Sequence, residues 1–194
     1  AYRNDYVSML SREVGRYFSD MTSGGEVPEL RYSSHALYDG IPAPLSTVDT
    51  SKIQNILYDR LTANVDRECA AGSTLWGIHK DDVSLMINGR EAKLYASQGQ
   101  QRSVALSLKL AEAEIANKLG GEYPVILLDD VFSELDEKRR KYILDILSAD
   151  DESKRQIIIT SCEPDIVPKE RLSHVKFNHV SGGEIVGAEG GDVH

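Results

Sequence analysis

Two adjacent carboxylates at the end of an apolar run are the residues of this sequence best suited to chemistry. The run Val125–Leu128 is followed directly by Asp129 and Asp130. Such runs are typical of strands buried in a parallel sheet, where ligands bind at the carboxyl ends of the strands. There one acid can hold Mg²⁺ and a second can act as a base toward water, as in a Walker B strand. The alternative is two acids that cap a buried strand in an unrelated α/β protein.

A second candidate site is the segment Ser97–Gln101, at the predicted start of a long helix. Ser97 is a favourable N-cap residue, and the small Gly99 lets an anion approach the backbone N–H groups of a helix N-terminus. The helix dipole contributes only about 0.3 to 1 kcal/mol, so this feature can supplement a phosphate site but cannot create one. The alternative is an ordinary polar helix cap.

A third segment, Ser133–Asp136 with the sequence SELD, follows closely behind the two acids. By itself it predicts a turn and the start of another helix, since Asp136 and Glu137 are both favourable there. A phosphate-binding loop of the form GxxxxGK[ST] would complete a nucleotide site, yet no glycine in these 194 residues is followed by lysine. The sequence therefore holds half of such a site.

The amino-acid composition is that of an ordinary globular protein. Hydrophobic residues make up 41% of it, enough for a sizeable core. A net charge of −9 argues against the chain as a whole acting as a nucleic-acid clamp, because phosphate binding needs clustered lysine and arginine. Cys69 and Cys162 lie far apart and outside any CxxC spacing, so we expect a reducing cytoplasm rather than a disulfide framework or zinc site.

Hydrophobic periodicity predicts an α/β arrangement around these residues. The predicted helices are residues 5–21, 51–70, 99–119 and 136–147. The predicted strands are residues 30–34, 74–78, 82–87, 90–96, 125–128 and 156–160, with a hairpin turn at Asn88-Gly89, a closing hairpin across Gly182-Gly183 and a loose tail from 187. Because strand, helix and strand follow one another from 125 to 160, we predict a parallel sheet with a crossover helix.

Taken in order, the three candidate segments follow the signature, Walker B and D-loop pattern of ABC-type ATPases. The runs YASQGQQRSVALSLKLAEAEIA, EYPVILLDDVFSELD and TLWGIHKDDVSLMINGR resemble the C-terminal half of the RecF family of bacterial recombination mediators, which is related to SMC ATPase heads. The resemblance is specific over roughly residues 67–160 and weaker elsewhere. It implies a C-terminal portion of a longer polypeptide, with residues 1–74 in a helical arm and residues 75–194 in an ABC-type ATPase head.

The resemblance also implies roles for individual residues. Those that match the signature, which caps the terminal phosphate of ATP held by a partner subunit, are Ser97, Gln98, Gly99, Gln100 and Gln101. Asp129 matches the Mg²⁺ acid and Asp130 the hydrolytic acid. Those that match the D-loop at the dimer seam are Ser133, Glu134, Leu135 and Asp136. Thr160 lies where many ABC proteins carry a switch histidine. Because threonine replaces this histidine and aspartate replaces the usual glutamate at 130, the resemblance implies slow hydrolysis.

The family's function would be ATP-dependent DNA binding in recombinational repair. The resemblance implies a homodimer that uses ATP and Mg²⁺, binds DNA at gaps or single-strand/double-strand junctions, helps load RecA, and has RecR and RecO as partners. Without a phosphate-binding loop, this sequence is expected to be inactive alone. Two alternatives stay open: half of another SMC-like or ABC ATPase, which would not be expected to carry GIHKDD before the hairpin, and a non-enzymatic dimerisation module that has lost the nucleotide.

Overall fold

The structure, a computed structural model, describes residues 2–34, 49–133, 135–148, 155–163 and 175–189. The chain forms two compact units, Ala1–Pro124 and Val125–His194. These compact units do not show whether residues 1–74 form an arm and residues 75–194 part of a head, so that division stays a prediction.

The first unit combines helices with a small antiparallel sheet. Its helices are α1 (Tyr2–Thr22), α2 (Thr50–Ala63), α3 (Val65–Ala71), α4 (Ala92–Tyr95) and α5 (Gln98–Gly120), with a 3-10 helix at Ile78–Lys80. Its strands are β1 (Pro28–Ser33), β2 (Asp82–Ile87) and β3 (Arg90–Glu91), in the order β1-β2-β3. The predicted tight turn joins β2 to β3, and both of its residues, Asn88 and Gly89, have positive φ (50° and 76°), as a type I′ turn requires.

The core of the first unit lies where α1 meets α5 and the sheet. Phe18 of α1 is fully buried and belongs to a cluster with Ile87, Ala92 and Val104. This burial explains the apolar periodicity of both helices, because each turns one stripe inward. The helices are also joined by charge, since Lys118 Nζ donates to Glu13 Oε1 at 2.6 Å.

The second unit contains the Walker B candidate. Its elements are β4 (Ile126–Leu128), α6 (Glu137–Ser148), β5 (Ile157–Ile159), β6 (Phe177–Ser181) and β7 (Glu184–Glu189). β4 and β5 pair in parallel, with Leu128 opposite Ile159, while β6 and β7 form the predicted hairpin. The parallel pair and its intervening helix confirm the predicted α/β class.

Residues 74–78 were wrongly predicted as a strand. The Glu68 carboxylate accepts hydrogen bonds from the backbone N–H groups of Leu75 and Trp76, at 2.7 and 3.0 Å, so these donors need no neighbouring strand. Gly77 then takes a φ of 143°, and the chain enters the 3-10 helix. The Glu68 side chain thus supplies the hydrogen-bond acceptor that a neighbouring strand would have supplied.

Three other predicted boundaries also differ. Residues 90–96 form a strand only at Arg90–Glu91, where β2 offers a partner, and then become α4. The helix predicted over 51–70 is divided at Asn64, whose φ and ψ of −114° and 8° leave the helical region. Residues 187–189, predicted as loose tail, extend β7 instead.

Candidate functional site

The two predicted acids lie at the carboxyl end of β4, beside the end of β5. Asp130 donates its backbone N–H to the carbonyl of Thr160 at 3.1 Å, and Thr160 donates its own to the carbonyl of Leu128 at 3.0 Å. The parallel ladder therefore continues past both strands. As a result, the structure brings Asp129, Asp130 and Thr160 together at one edge of the sheet, where ligands bind in α/β folds.

The Thr160 hydroxyl contacts both acids. Its Oγ1 donates to Asp129 Oδ1 and accepts from the backbone N–H of Asp130 at 3.0 Å. Asp129 is exposed, and its Oδ2 makes no hydrogen bond to a described residue. One oxygen of Asp129 is thus tied to β5, and the other is available to a ligand.

Asp130 has an unusual backbone conformation, with a φ of 45° in the left-handed region. Aspartate and asparagine tolerate this region better than most residues. The hydroxyl oxygen of Ser133 lies 2.9 Å from Asp130 Oδ2 and 3.0 Å from the Asp130 carbonyl oxygen. Asp130 Oδ1, by contrast, is buried without a hydrogen-bond partner among the described residues. A buried oxygen without a partner costs stability, which makes this atom a candidate acceptor for water or a ligand donor.

The predicted D-loop forms the turn between the acids and α6. Asp136 accepts from the backbone N–H of Arg139 at 2.9 Å and also pairs with the Arg139 guanidinium, which fixes the start of α6. Arg140 Nη2 donates toward the carbonyls of Phe132 and Leu135, at 3.4 Å each. No sequence pattern predicted this contact of Arg140. Glu134, also predicted here, lies outside the described residues.

The predicted signature, in the first unit, begins α5 with a capping box. Ser97 Oγ accepts from the backbone N–H of Gln100 at 3.2 Å, and Gln100 Oε1 accepts from the backbone N–H of Ser97 at 2.7 Å. Gln100 Nε2 also donates to Glu26, 74 residues earlier in the chain. Glu26 therefore holds the signature in place, although no local spacing pattern could have predicted it.

Several donors at this helix start remain for a ligand. Gln98 and Gly99 occupy the first turn, and neither backbone N–H has a partner among the described residues. The Ser97 hydroxyl accepts a bond but keeps its own hydrogen. Gln98 is exposed, whereas Gln101 donates its side-chain amide to the Ala96 carbonyl at 3.1 Å. The arrangement offers adjacent N–H and O–H donors to an anion.

The GIHKDD segment has an inward-facing acid. The Asp81 side chain is only 2% exposed and accepts from Tyr32 and from Ser34 Oγ, the latter at 2.9 Å, with Arg3 at 3.9 Å. Burial, followed by the hydrogen bond to Asp81, raises the pKa of Tyr32 to about 12. His79 contacts the Thr74 carbonyl at 3.2 Å. These contacts anchor the segment beside a cavity of about 770 Å³ lined mainly by α1, β1 and β2.

The pair Asp129 and Asp130 fits Mg²⁺ better than a structural metal. Among the described residues, no three His, Cys, Asp or Glu side chains group together as metal ligands would. Mg²⁺ usually takes one or two carboxylates and completes its shell with water and substrate phosphates. The exposed Asp129, whose Oδ2 has no partner among the described residues, matches that donor set as a single carboxylate ligand. Separately, none of the described helices is both long and apolar enough to cross a bilayer.

Comparison with known proteins identifies relatives. No protein-family model matches the chain. The chain is 42% identical over 184 residues to the DNA replication and repair protein RecF of Staphylococcus aureus strain JH9. The aligned region covers 95% of this chain and 47% of that relative. RecF sequences from strains Newman and N315 match equally well. The chain thus spans about half the length of the curated relatives it matches.

Solved structures agree with the sequence comparison. The recombination mediator RecF with ATPrS superposes with a TM-score of 0.67 at 35% identity, covering 86% of this chain and 42% of that one. RecF with ATP gives the same TM-score and identity, covering 84% and 41%. An SMC ATPase structure superposes with a TM-score of 0.50 at 13% identity, covering 95% and 83%, and indicates fold alone. The resemblance that the motifs indicated is therefore confirmed, and the chain is similar to RecF over 95% of its length.

Proposed function

We propose that this chain is the C-terminal portion of a RecF-like, ATP-dependent DNA-binding protein of recombinational repair and replication-fork recovery. In this proposal it supplies the signature (97–101), the Walker B acids and the D-loop (133–136) to an ATP sandwich formed by two copies. The observation that carries the proposal is the buried Asp130 Oδ1, which lacks a partner among the described residues at the sheet edge beside Asp129. The similarity to RecF solved with ATP supports the same nucleotide.

Asp129 and Asp130 would have different roles in hydrolysis. Asp129 would hold Mg²⁺ through its unbonded Oδ2, and the bound ion would neutralise charge on the phosphates. Asp130 would accept a hydrogen bond, and then the proton, from the attacking water at Oδ1, while Ser133 keeps Oδ2 occupied. Because Asp130 is partly buried, its Oδ1 has few competing water molecules.

The signature would act on ATP that a partner subunit already holds. The Ser97 hydroxyl and the N–H groups of Gln98 and Gly99 are suited to phosphate oxygens. The helix dipole adds only about 0.3 to 1 kcal/mol, so these donors would close a dimer rather than recruit free nucleotide. For the same reason the chain alone is expected to bind ATP weakly and not to hydrolyse it.

The remaining parts of the proposal follow from the family. The RecF structures are described as belonging to the RecFOR pathway. We extend this to RecR and RecO as partners, DNA gaps or junctions as targets, an ATP-dependent homodimer and a cytoplasmic location. A non-enzymatic dimerisation module explains less, because such a module has no use for a buried carboxylate oxygen without a partner.

The substitution Asp130→Asn in the full-length protein tests the assignment. Asparagine tolerates the left-handed backbone and keeps an oxygen for Ser133, but it cannot take a proton. We expect ATP-induced dimers to persist and hydrolysis to fall by about 10² to 10⁴-fold, the usual contribution of a general base. Phosphate release and sedimentation with ATP measure the two effects, with Asp59→Asn, an exposed position on α2, as the control. Wild-type hydrolysis in Asp130→Asn would show that the base is assigned wrongly.

A further inference from the structure

We propose that Ser133 and Thr160 are positioning residues that each occupy one carboxylate oxygen and so reserve the other oxygen of each acid for the ligands. Thr160 sets Asp129 for the metal, and Ser133 sets Asp130 for the water. The inference rests on the proposed function, since it assigns the hydroxyls by what the two acids do there. We call Ser133 and Thr160 the hydroxyl pair.

The single hydrogen of the Thr160 hydroxyl is committed to Asp129. A hydroxyl has one hydrogen, and an ionised carboxylate only accepts, so this hydrogen points to Asp129 Oδ1. One lone pair accepts from the Asp130 N–H at 3.0 Å. The backbone on either side is fixed by the ladder bonds to Leu128 and Asp130, and β-branching restricts rotation at χ1. Thr160 thus holds Asp129 with Oδ2 outward.

Ser133 has the corresponding role for Asp130. Its hydroxyl oxygen lies within hydrogen-bond distance of Asp130 Oδ2 and of the Asp130 carbonyl oxygen, across the turn that follows the acid. With Oδ2 occupied, the carboxylate plane is set so that Oδ1 is the buried atom without a described partner. This contact also favours aspartate over glutamate at 130, because an added methylene would move the carboxylate away from Ser133.

A merely structural cluster would be arranged differently. Buried polar groups in proteins are normally satisfied, so a purely structural role would predict partners at both oxygens of the partly buried Asp130. Here each hydroxyl satisfies one oxygen, and among the described residues the second oxygen of each acid stays unbonded. Each acid thus has one bonded oxygen and one oxygen without a described partner, and both acids lie at the same edge of the sheet.

The full-length protein allows the two hydroxyls to be tested separately. Thr160→Val should weaken Mn²⁺ binding to the nucleotide-bound protein, followed by electron paramagnetic resonance, and lower kcat by about 10 to 100-fold, the usual effect of losing a residue that orients a metal ligand. Thr160→Ser, which keeps the hydroxyl, should restore both. Ser133→Ala should lower kcat by a similar factor and leave Mn²⁺ affinity and the KM for ATP unchanged. Ser161→Ala is the matched control, since among the described residues its exposed hydroxyl bonds to the backbone of Glu163 and to neither acid.

The outcomes separate this inference from the proposed function, with Asp129→Asn as the reference variant. If Asp129→Asn loses Mn²⁺ binding and hydrolysis but Thr160→Val and Ser133→Ala keep wild-type values, the hydroxyl pair has no positioning role and the proposed function stands. If Asp129→Asn also keeps both properties, the proposed function fails and the inference fails with it. Thermal melts identify any variant that loses activity by unfolding; because Ser133 and Thr160 are both exposed, we expect folded proteins.

Discussion

Replacing Ser97 in the full-length protein by alanine and by arginine separates a phosphate-contacting signature from an ordinary helix cap. Both substitutions remove Oγ, which accepts from the Gln100 N–H at 3.2 Å. Neither removes the reciprocal bond, at 2.7 Å, because its donor is the Ser97 backbone. The two variants therefore lose the same cap and differ in the size and the positive charge of the side chain placed at the start of α5.

The structure sets the size of the shared effect. Loss of an N-cap side chain costs about 0.5 to 2 kcal/mol. We expect the lower half of that range, about 1 kcal/mol or less, because Ser97 is exposed and water can bind the freed Gln100 N–H. A loss of this size leaves both variants folded. Asp49→Ala provides a matched control, since Asp49 caps α2 by accepting from the Ser51 N–H at 3.1 Å and has no predicted role at the dimer seam.

Dimerisation distinguishes the two hypotheses. If the signature closes over ATP held by a partner, Ser97→Arg should abolish ATP-induced dimers, because the long side chain fills the space for the phosphate, while Ser97→Ala should weaken them less. ATP binding to each monomer should survive in both variants. Sedimentation velocity with and without ATP, a fluorescent nucleotide titration and thermal melts measure these properties. A Ser97→Arg protein that melts lower yet still dimerises with ATP would refute the signature assignment.

Two further predictions concern stability. A hydrogen bond from Lys118, partly offset by burial, lowers the pKa of Glu13 below its usual 4.5. The ionised Glu13 should therefore stabilise the protein fully above that usual pKa. This stabilisation should be lost as the pH falls through the pKa that Glu13 has in the folded protein. Urea unfolding between about pH 3 and 6 should therefore show a steeper loss in wild type than in Glu13→Gln, and equal slopes would contradict the assignment. Phe18→Ala should cost about 3 to 5 kcal/mol because the ring is fully buried, whereas Tyr2→Ala, 92% exposed, should cost less than about 0.5 kcal/mol. Similar urea midpoints for these two variants would contradict the core assignment.

Long, regular patterns made most of the fold predictable from sequence. The apolar stripes of α1 and α5 extend over many turns, and each buries a face that only a helix could present. The turn at Asn88-Gly89 and the hairpin across Gly182-Gly183 were predicted correctly, because few turns other than glycine-containing ones suit these strand connections. Residues 74–78 were misassigned because a distant carboxylate, Glu68, satisfies their backbone, which a short apolar run does not reveal.

The candidate site was less predictable than the fold. Spacing located Asp129 and Asp130 at a strand end, and Ser97 at a helix start, because both inferences depend on neighbouring residues alone. The contact of Thr160 with both acids depends on the register of β4 against β5, which the sequence does not fix. The left-handed φ of Asp130 and the contact of Glu26 with Gln100 also depend on tertiary structure. Local patterns therefore predicted the candidate groups, and long-range contacts determine how those groups are held.

The two halves of the proposed site share one physical arrangement. In each half, nearby side chains satisfy most of the polar atoms: Gln100 and Ser97 cap one another, and Thr160 and Ser133 bind the acids. Two N–H groups at the start of α5 and one oxygen on each acid have no described partner, and in the proposed function these groups would serve the ligands. Little reorganisation is then needed on binding, because the groups that would contact ATP are already oriented. In the proposed function, affinity would then depend on bringing two copies together around the nucleotide, so that ATP would control dimerisation.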